Sequence, residues 1–252
     1  MAENFRQSEI LDIARRKGRV SVDKLARRFQ TSVQTIRKDL TELSDTGQLK
    51  RVHGGAIIPS SAAAIGYDDR RALNAGAKDR IAKNCAADIP NGATIFLNIG
   101  TTTEAVARAL LHHENLSVVT NNLNIANILS PNEHIDLMVA GGTLRRSDGG
   151  LTGSMTTKLI AQFKFDVAII GCSALDADGD ILDFDIQEVD VSQTIISRAR
   201  ATYLVSDATK FDRTAPVKIA SLADMDRVYT DAALPASLAQ DCAYWQTEVA
   251  LS

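Results

Sequence analysis

The chain has 252 residues, 45% of them hydrophobic and 23% charged, with a formal net charge of −3; that is enough apolar content to bury a substantial core in one large or two unequal domains. No apolar run is long enough to cross a bilayer and the N-terminal MAENFRQSE lacks the apolar centre of a signal peptide, so membrane and export classes are excluded and a cytoplasmic protein is expected. Cys85, Cys172 and Cys242 are far apart and His112, His113 and His134 are isolated, which leaves no metal-ligand spacing; neither a metal nor a cofactor is expected.

In chain order, Ile10, Ile13 and Ala14, then Val22, Leu25, Ala26 and Phe29, recur at the spacing of two short amphipathic helices. Gly18 reads as a stop after Arg15-Arg16-Lys17, Ser21 as the cap of the second helix, Gln30-Thr31 as a tight connection and Ser32 as the cap of a third. On that third helix, at about 100° per residue, Val33, Ile36, Leu40 and Leu43 share one stripe, and Gln34, Arg37, Lys38 and Thr41 face outward. Gln and Arg match base edges in the major groove, whereas Lys and Thr suit phosphate oxygens. An ordinary solvated helix face would hold the same residue types, but the neighbouring elements favour nucleic acid. The three helices have helix-turn-helix spacing, and residues 49–51 and 56–58 pair across His53-Gly54-Gly55 as a two-stranded wing. The candidate contacts to double-stranded DNA are Ser32, Gln34, Thr35, Arg37, Lys38, Thr41, Arg51 and His53. Residues 1–58 hold 12 Lys and Arg against 7 Asp and Glu, a local net of +5, while the remainder nets −8. A near-neutral whole-chain balance therefore hides a basic head on an acidic body.

The head spans residues 3–58. Pro59-Ser60-Ser61 followed by three alanines opens a linker over 59–75, in which Tyr67-Asp68-Asp69-Arg70-Arg71 is expected to dock on the second domain as a helix. Residues 76–252 alternate strand candidates at 94–97, 117–120, 136–140, 167–170, 202–205 and 227–229 with helical patterns at 80–87, 104–111, 124–129, 156–162 and 188–199. That alternation predicts a mainly parallel α/β sheet covered on both faces, with ligands at the C-terminal strand ends.

Polar loops fall at those ends. Asn98-Ile99-Gly100-Thr101-Thr102-Thr103-Glu104 leaves a strand and enters a helix, with Thr101 and Glu104 at capping-box spacing, and presents amides and hydroxyls to an oxyanion. Asn121-Asn122, Gly141-Gly142 with Arg145, and Lys210 follow later strands. Each has a plain turn explanation, but together they suit a small phosphorylated polyol or sugar, with cations and amides for phosphate and polar side chains for hydroxyls.

Thr35-Ile36-Arg37-Lys38-Asp39-Leu40 and Leu49-Lys50-Arg51-Val52-His53-Gly54-Gly55-Ala56 resemble the winged helix-turn-helix signature of the DeoR family of bacterial transcriptional regulators. The second domain resembles the same family's effector domain, which is similar to ribose-5-phosphate isomerases. Ile99-Gly100-Thr101-Thr102, the EAVARALL run from Glu104, VTNNLN from Val119, Asp148-Gly149-Gly150, Asp183-Phe184-Asp185, Glu188-Val189 and VYTDA from Val228 are similar to members that answer to glycerol 3-phosphate. The resemblance implies a repressor released from its operator by a bound phosphorylated metabolite, glycerol 3-phosphate, and adds Glu188 to the pocket. The candidate effector residues are thus Gly100, Thr101, Thr102, Thr103, Asn121, Asn122, Gly141, Gly142, Arg145, Glu188 and Lys210.

Three positions depart from the family pattern. Lys38 stands where a second Arg is common, which shifts it from base reading toward phosphate contact. Asn98 replaces a frequent Asp, and Asp190-Val191-Ser192-Gln193 replaces a basic pair after Glu188. The alternative is a sugar-phosphate isomerase with an accessory head, in which Glu188 is a carbon-acid base and Lys210 holds phosphate; Ser173 to Gly179 resembles the regulators instead. A head that binds protein rather than DNA is a third reading, set against the wing. Subunits are expected to associate through the sheet domain, as a dimer or tetramer, so that paired heads meet successive major grooves of a near-palindromic operator.

Overall fold

The structure, a computed structural model, describes residues 2–17, 19–52, 54–57, 67–211 and 213–252. It divides into two units, Met1–Gly66 and Tyr67–Ser252.

In the first unit, residues that share stripes in sequence share one core. Helices α1 (Ala2–Lys17), α2 (Val22–Arg28) and α3 (Val33–Asp45) enclose Ile10, Ala14, Leu25, Ile36, Leu40 and Leu43, with Leu49 and Ala56 added from the wing. Gln30 adopts a left-handed backbone with φ 49°, and the Thr31 N–H returns to the Ala26 carbonyl at 3.0 Å, which makes the tight connection between α2 and α3. Ser32 caps α3 by accepting the Thr35 N–H at 3.0 Å. Two expectations need correction. Val33 has the right angular position but lies at the helix end, past the edge of the core, and is 37% exposed. Ser21 occupies the N-cap position of α2 without any side-chain cap bond, because its backbone is committed to a strand.

That strand, β1 (Arg19–Ser21), enlarges the wing. It joins β2 (Lys50–Val52) and β3 (Gly55–Ile57) in an antiparallel sheet of order β1-β3-β2, three-stranded where two strands were expected. Gly55 permits the approach: a Cβ there would lie 2.0 Å from the Val20 carbonyl oxygen, so no other residue fits. Gly18, His53 and Ile58 lie outside the described residues.

The second unit begins with α4 (Tyr67–Ala72) and α5 (Ala75–Ala87), then alternates β4 (Thr94–Leu97), α6 (Thr101–Ala109), β5 (Leu116–Thr120), α7 (Leu123–Leu129) and β6 (Ile135–Val139). A hairpin of β7 (Thr143–Arg145) and β8 (Gly150–Thr152) and helix α8 (Ser154–Ile160) lead to β9 (Phe165–Ile170). Short strands β10 (Ala174–Leu175) and β11 (Asp180–Asp183) precede α9 (Ile186–Ser197) and β12 (Ala199–Val205). The chain closes with β13 (Val217–Ser221), β14 (Arg227–Thr230), α10 (Ala236–Trp245) and β15 (Glu248–Leu251).

Seven strands form one parallel sheet of order β15-β14-β12-β9-β4-β5-β6. Alternate residues on each strand serve opposite faces. Ile95, Leu97, Val167 and Ile169 pack with Ile81 of α5, Val106 of α6 and Ile125 of α7; Phe96, Ala168 and Ile170 pack with Val189 and Ile195 of α9 and Leu238 of α10. Trp245 packs against this second layer. Strand order reverses between β4 and β9, since the chain builds outward from β4 through β5 and β6 on one side and from β9 through β12, β14 and β15 on the other. A crevice opens at such a switch point beyond the C-terminal strand ends, which places Gly100 and Cys172 at its floor. No helix among the described residues is long and apolar enough to cross a membrane.

Candidate functional site

Two surfaces collect the candidate residues. On α3, Ser32, Gln34, Arg37, Lys38 and Thr41 are exposed, Thr35 is partly exposed, and Arg51 is exposed on β2; His53 lies outside the described residues. The Thr41 hydroxyl donates to the Arg37 carbonyl at 2.8 Å, and the Lys38 ammonium is 3.7 Å from Glu42 one turn on. Behind this polar face sits a buried ion pair that sequence reasoning missed. Arg6 of α1 donates from Nε and Nη2 to the two carboxylate oxygens of Asp39 at 2.6 and 2.9 Å, with Asp39 only 1% exposed. Gln7 adds a bond to Glu42 at 2.6 Å. The outward residues therefore rest on a helix locked to α1 through its inner side. The signal was present, because Asp39 stands on the Ile36-Leu40-Leu43 stripe.

In the second unit, β4 delivers Gly100 to the N-cap of α6, where its carbonyl accepts the Glu104 N–H at 3.0 Å and the Thr103 hydroxyl at 2.7 Å. Thr101 is partly exposed; Thr102 and Thr103 are buried. The capping box does not form. The helix begins one residue earlier than that motif requires, so Thr101 is its first residue rather than its cap, and Glu104 turns inward to 1% exposure. Its carboxylate accepts from the Tyr67 hydroxyl at 2.6 Å, Asn124 Nδ2 at 3.1 Å and Asn122 Nδ2 at 3.3 Å. Burial and that carboxylate push the Tyr67 hydroxyl's pKa up, keeping it a donor.

Beside the α6 N-terminus lie four cations. Lys78 on α5 is 6% exposed and donates to the Arg70 carbonyl, which also lies 3.5 Å from the Thr101 hydroxyl. Burial lowers the Lys78 pKa to about 8, against the pull of Asp207, and Lys210, Arg213 and Arg70 lower it further by repulsion. Burial likewise depresses Lys210 and Arg213. Burial would raise Asp207, but Lys210, the Thr209 hydroxyl and Lys78 outweigh it and hold that carboxyl below its ordinary value. Arg70 reaches Asp148 at 3.4 Å, and its Nε is buried without a partner. Cations thus exceed carboxylates here, an imbalance that a phosphoryl dianion would relieve.

Across the crevice the balance inverts. Arg145 bonds Asp148 at 2.9 and 2.7 Å, Asp185 at 2.9 Å and Glu188 at 2.6 Å. Burial and then Asp183 raise the Glu188 pKa to about 7, although Arg145 pulls it down. Asp183 accepts the Ser173 hydroxyl at 2.9 Å and the Phe184 N–H at 2.6 Å. Arg145, expected among the phosphate ligands, stands instead in the carboxylate-rich half. Asn122 caps α7 through the Asn124 N–H at 2.8 Å, and Asn121 is fully buried, donates to the Leu151 carbonyl at 3.1 Å and has an Oδ1 without a partner. Gly141 and Gly142 are exposed at the hairpin base. With φ 149°, Gly142 could carry a Cβ only 2.1 Å from the Thr156 hydroxyl, so its lack of a side chain serves close packing.

The structure groups Thr101 and Lys78 on the Arg70 carbonyl, with Lys210 close enough to Lys78 to repel it, and Asn122 with Glu104. It adds Arg70, Lys78, Asp148 and Arg213, with Tyr67 and Asn124 behind them as supports of Glu104, none of which sequence reasoning selected. Among them Lys78 announced itself by sharing the stripe of Ile81, Ala82 and Cys85. Among the described residues no group of three or more His, Cys, Asp or Glu is arranged to hold a metal ion.

Residues 6–62 match the DeoR-like helix-turn-helix domain and residues 73–232 the DeoR C terminal sensor domain. The chain is 45% identical over 240 residues to the glycerol-3-phosphate regulon repressor of Escherichia coli (strain K12), covering 95% of each chain. It is 45% identical to that of Haemophilus influenzae over 91% of this chain and 90% of the other, and 37% identical to the HTH-type transcriptional repressor CsqR of Escherichia coli over 98% and 95%. Among solved structures, ribose 5-phosphate isomerase a of Methanocaldococcus jannaschii overlaps 55% of each chain at 14% identity and a TM-score of 0.41, too partial an overlap for any functional consequence.

Proposed function

The chain belongs to the DeoR family of helix-turn-helix transcriptional regulators, and we propose on that premise that it is a repressor that leaves its operator when glycerol 3-phosphate enters the sensor crevice. The observation that carries the effector's identity is the likeness to glycerol-3-phosphate regulon repressors, which runs through head and sensor alike. The named relatives are repressors, and the chain is a regulator rather than an isomerase.

The crevice chemistry supports a short phosphorylated polyol. The phosphoryl group takes the cationic half, with Arg70, Lys78, Lys210 and the amides after Gly100, helped by Thr101 and Thr102. The polyol hydroxyls take the half lined by Glu188, Asn121, Asn122 and Arg145, with the Gly141-Gly142 bend at its margin. Thr103 contributes shape, since its hydroxyl is committed to Gly100. In the head, residues 3–58, Gln34 and Arg37 read base edges, and Ser32, Thr35, Lys38, Thr41, Arg51 and His53 hold phosphates. Residues 76–252 form the effector-sensing domain and 59–75 the link. The protein works in the cytoplasm as a dimer or tetramer on a near-palindromic operator.

The test pairs operator binding by fluorescence anisotropy with thermal shift against glycerol 3-phosphate, glycerol, inorganic phosphate and pentose and hexose phosphates. Glycerol 3-phosphate is expected to stabilise the protein by about 2.7 kcal/mol at a hundred times its dissociation constant and to release the operator. Glycerol should do neither. Stabilisation by a hexose or pentose phosphate alone would overturn the effector assignment, and turnover of any hit would restore the enzyme reading.

A further inference from the structure

The short helix α4 is the first element after residues 58–66, through which the chain passes from head to sensor. Six residues are too few to hold a helix by propensity, and Arg71 and Ala72 are exposed. Polar anchors hold it. Tyr67 donates to Glu104 at 2.6 Å; Arg70, one turn on, reaches Asp148 at 3.4 Å, and its carbonyl receives Lys78. Asn124 closes the circuit by donating to Glu104 at 3.1 Å and to the Asp148 carbonyl at 2.8 Å. The chain Tyr67-Glu104-Asn124-Asp148-Arg70 thus begins and ends on α4 and runs through α6, α7 and the β7–β8 turn around the crevice.

We propose that Tyr67, acting through Glu104, is the positioning residue that relays effector binding to the DNA-binding head. The proposal rests on the reading that a phosphorylated effector occupies the crevice. The two anchors differ in strength. Glu104 is buried with three donors, so the Tyr67 end is fixed, whereas Arg70 has one long carboxylate contact and an unpartnered buried Nε. A phosphoryl group at the α6 N-terminus is the better partner for that guanidinium and draws Arg70 away from Asp148. The helix then turns about its Tyr67 anchor, at the point where the link to the head attaches. Without the anchor, the Arg70 movement has no fixed point to work against.

The experiment measures operator affinity with and without glycerol 3-phosphate, and glycerol 3-phosphate affinity by calorimetry, for the full chain, Tyr67→Phe, Glu104→Gln and the double variant. Tyr67→Phe is expected to bind operator and glycerol 3-phosphate within about threefold of the parent while the effector-induced loss of operator affinity shrinks at least ~5-fold. The double variant should lose no more than the worse single one, because the two residues act as a unit. A Tyr67→Phe protein released like the parent overturns the proposal, as does a variant whose effector affinity falls with its release ratio intact. Additive losses in the double variant overturn it too. If the unaltered chain ignores glycerol 3-phosphate, the effector reading itself fails and takes this relay with it.

Discussion

Asp39 lies on the same helix stripe as Ile36 and Leu43, where a carboxylate is stable only with a partner, and Arg6 supplies one from a different helix. Breaking a buried pair leaves the surviving charge uncompensated. Arg6→Ala is therefore expected to destabilise the head by about 3 to 5 kcal/mol and abolish operator binding. Urea unfolding followed by circular dichroism checks this, and a loss under about 1 kcal/mol would place the ion pair among surface-like contacts. Lys78 repeats the pattern on α5 with the opposite sign. Its pKa of about 8 lies below the ordinary lysine value because burial disfavours the charged form. The depressed group makes the empty sensor gain stability as pH rises from about 8, and lose it as pH falls through that value. Effector binding runs the other way. A phosphoryl dianion selects the protonated amine, so above about 8 binding must take up a proton and affinity is expected to fall by up to tenfold per pH unit. Calorimetry across that range should show the decline, and Lys78→Gln should flatten it. A third residue pair explains two departures from the family pattern at once: Asn98 Nδ2 donates to Ser192 Oγ at 2.8 Å, so the two unusual positions meet and satisfy each other as a neutral pair.

On the proposed function, helix α3 divides its work by side-chain chemistry. A planar fork reads a guanine edge, and an ammonium neutralises phosphate without regard to sequence. Arg37→Ala should thus lose about 1 to 3 kcal/mol at the operator and relax specificity at one base, whereas Lys38→Ala should weaken binding to all sequences and reduce the salt slope by about 1. Titrations over a range of salt concentrations separate them, and a sequence-selective loss at Lys38 would exchange the roles. The elements behind such readings were legible wherever burial imposes a long period. The six strand candidates fall on β4, β5, β6, β9, β12 and β14, buried or half-buried except for the edge strand β6, with ends that shift by a few residues. Strands β1, β7, β8, β10, β11 and β13 escaped because they are short and lie outside the central sheet, and β15 because it is the partly exposed edge strand. Site residues on strand-end loops, such as Gly100, Thr101 and Lys210, were legible through turn chemistry. Arg70, and Tyr67 behind it, were not, since only tertiary packing brings their helix to the crevice, and Lys78 showed only as a charge on the apolar stripe of α5. The failed capping box at Thr101 and Glu104 has the same origin: a buried carboxylate goes to the best donors available, and here those are Tyr67, Asn122 and Asn124.

At the scale of the whole molecule, residues 1–58 carry a net charge of +5 and the remainder −8, a division that on the proposed function confines the polyanion to the head and leaves the other unit to a small anion. Two such sites on one chain are coupled only to the extent that each ligand distinguishes between the same two states. If effector binding weakens operator affinity by some factor, operator binding must weaken effector affinity by that factor, because the two routes to the doubly bound complex have equal free energy. Coupling of about 1 to 3 kcal/mol is the common range, which corresponds to roughly 5- to 150-fold. Glycerol 3-phosphate titrated into the preformed operator complex is therefore expected to bind more weakly than to the free protein by the ratio found in operator release. Equal effector affinity for free and operator-bound protein, together with full release, would mean that the small molecule competes for the DNA surface itself. The crevice of the second unit would then have no part in induction. A matched pair of ratios would instead fix the coupling free energy. The Tyr67→Phe variant should reduce both ratios together, since a relay residue acts on the coupling and on neither site alone.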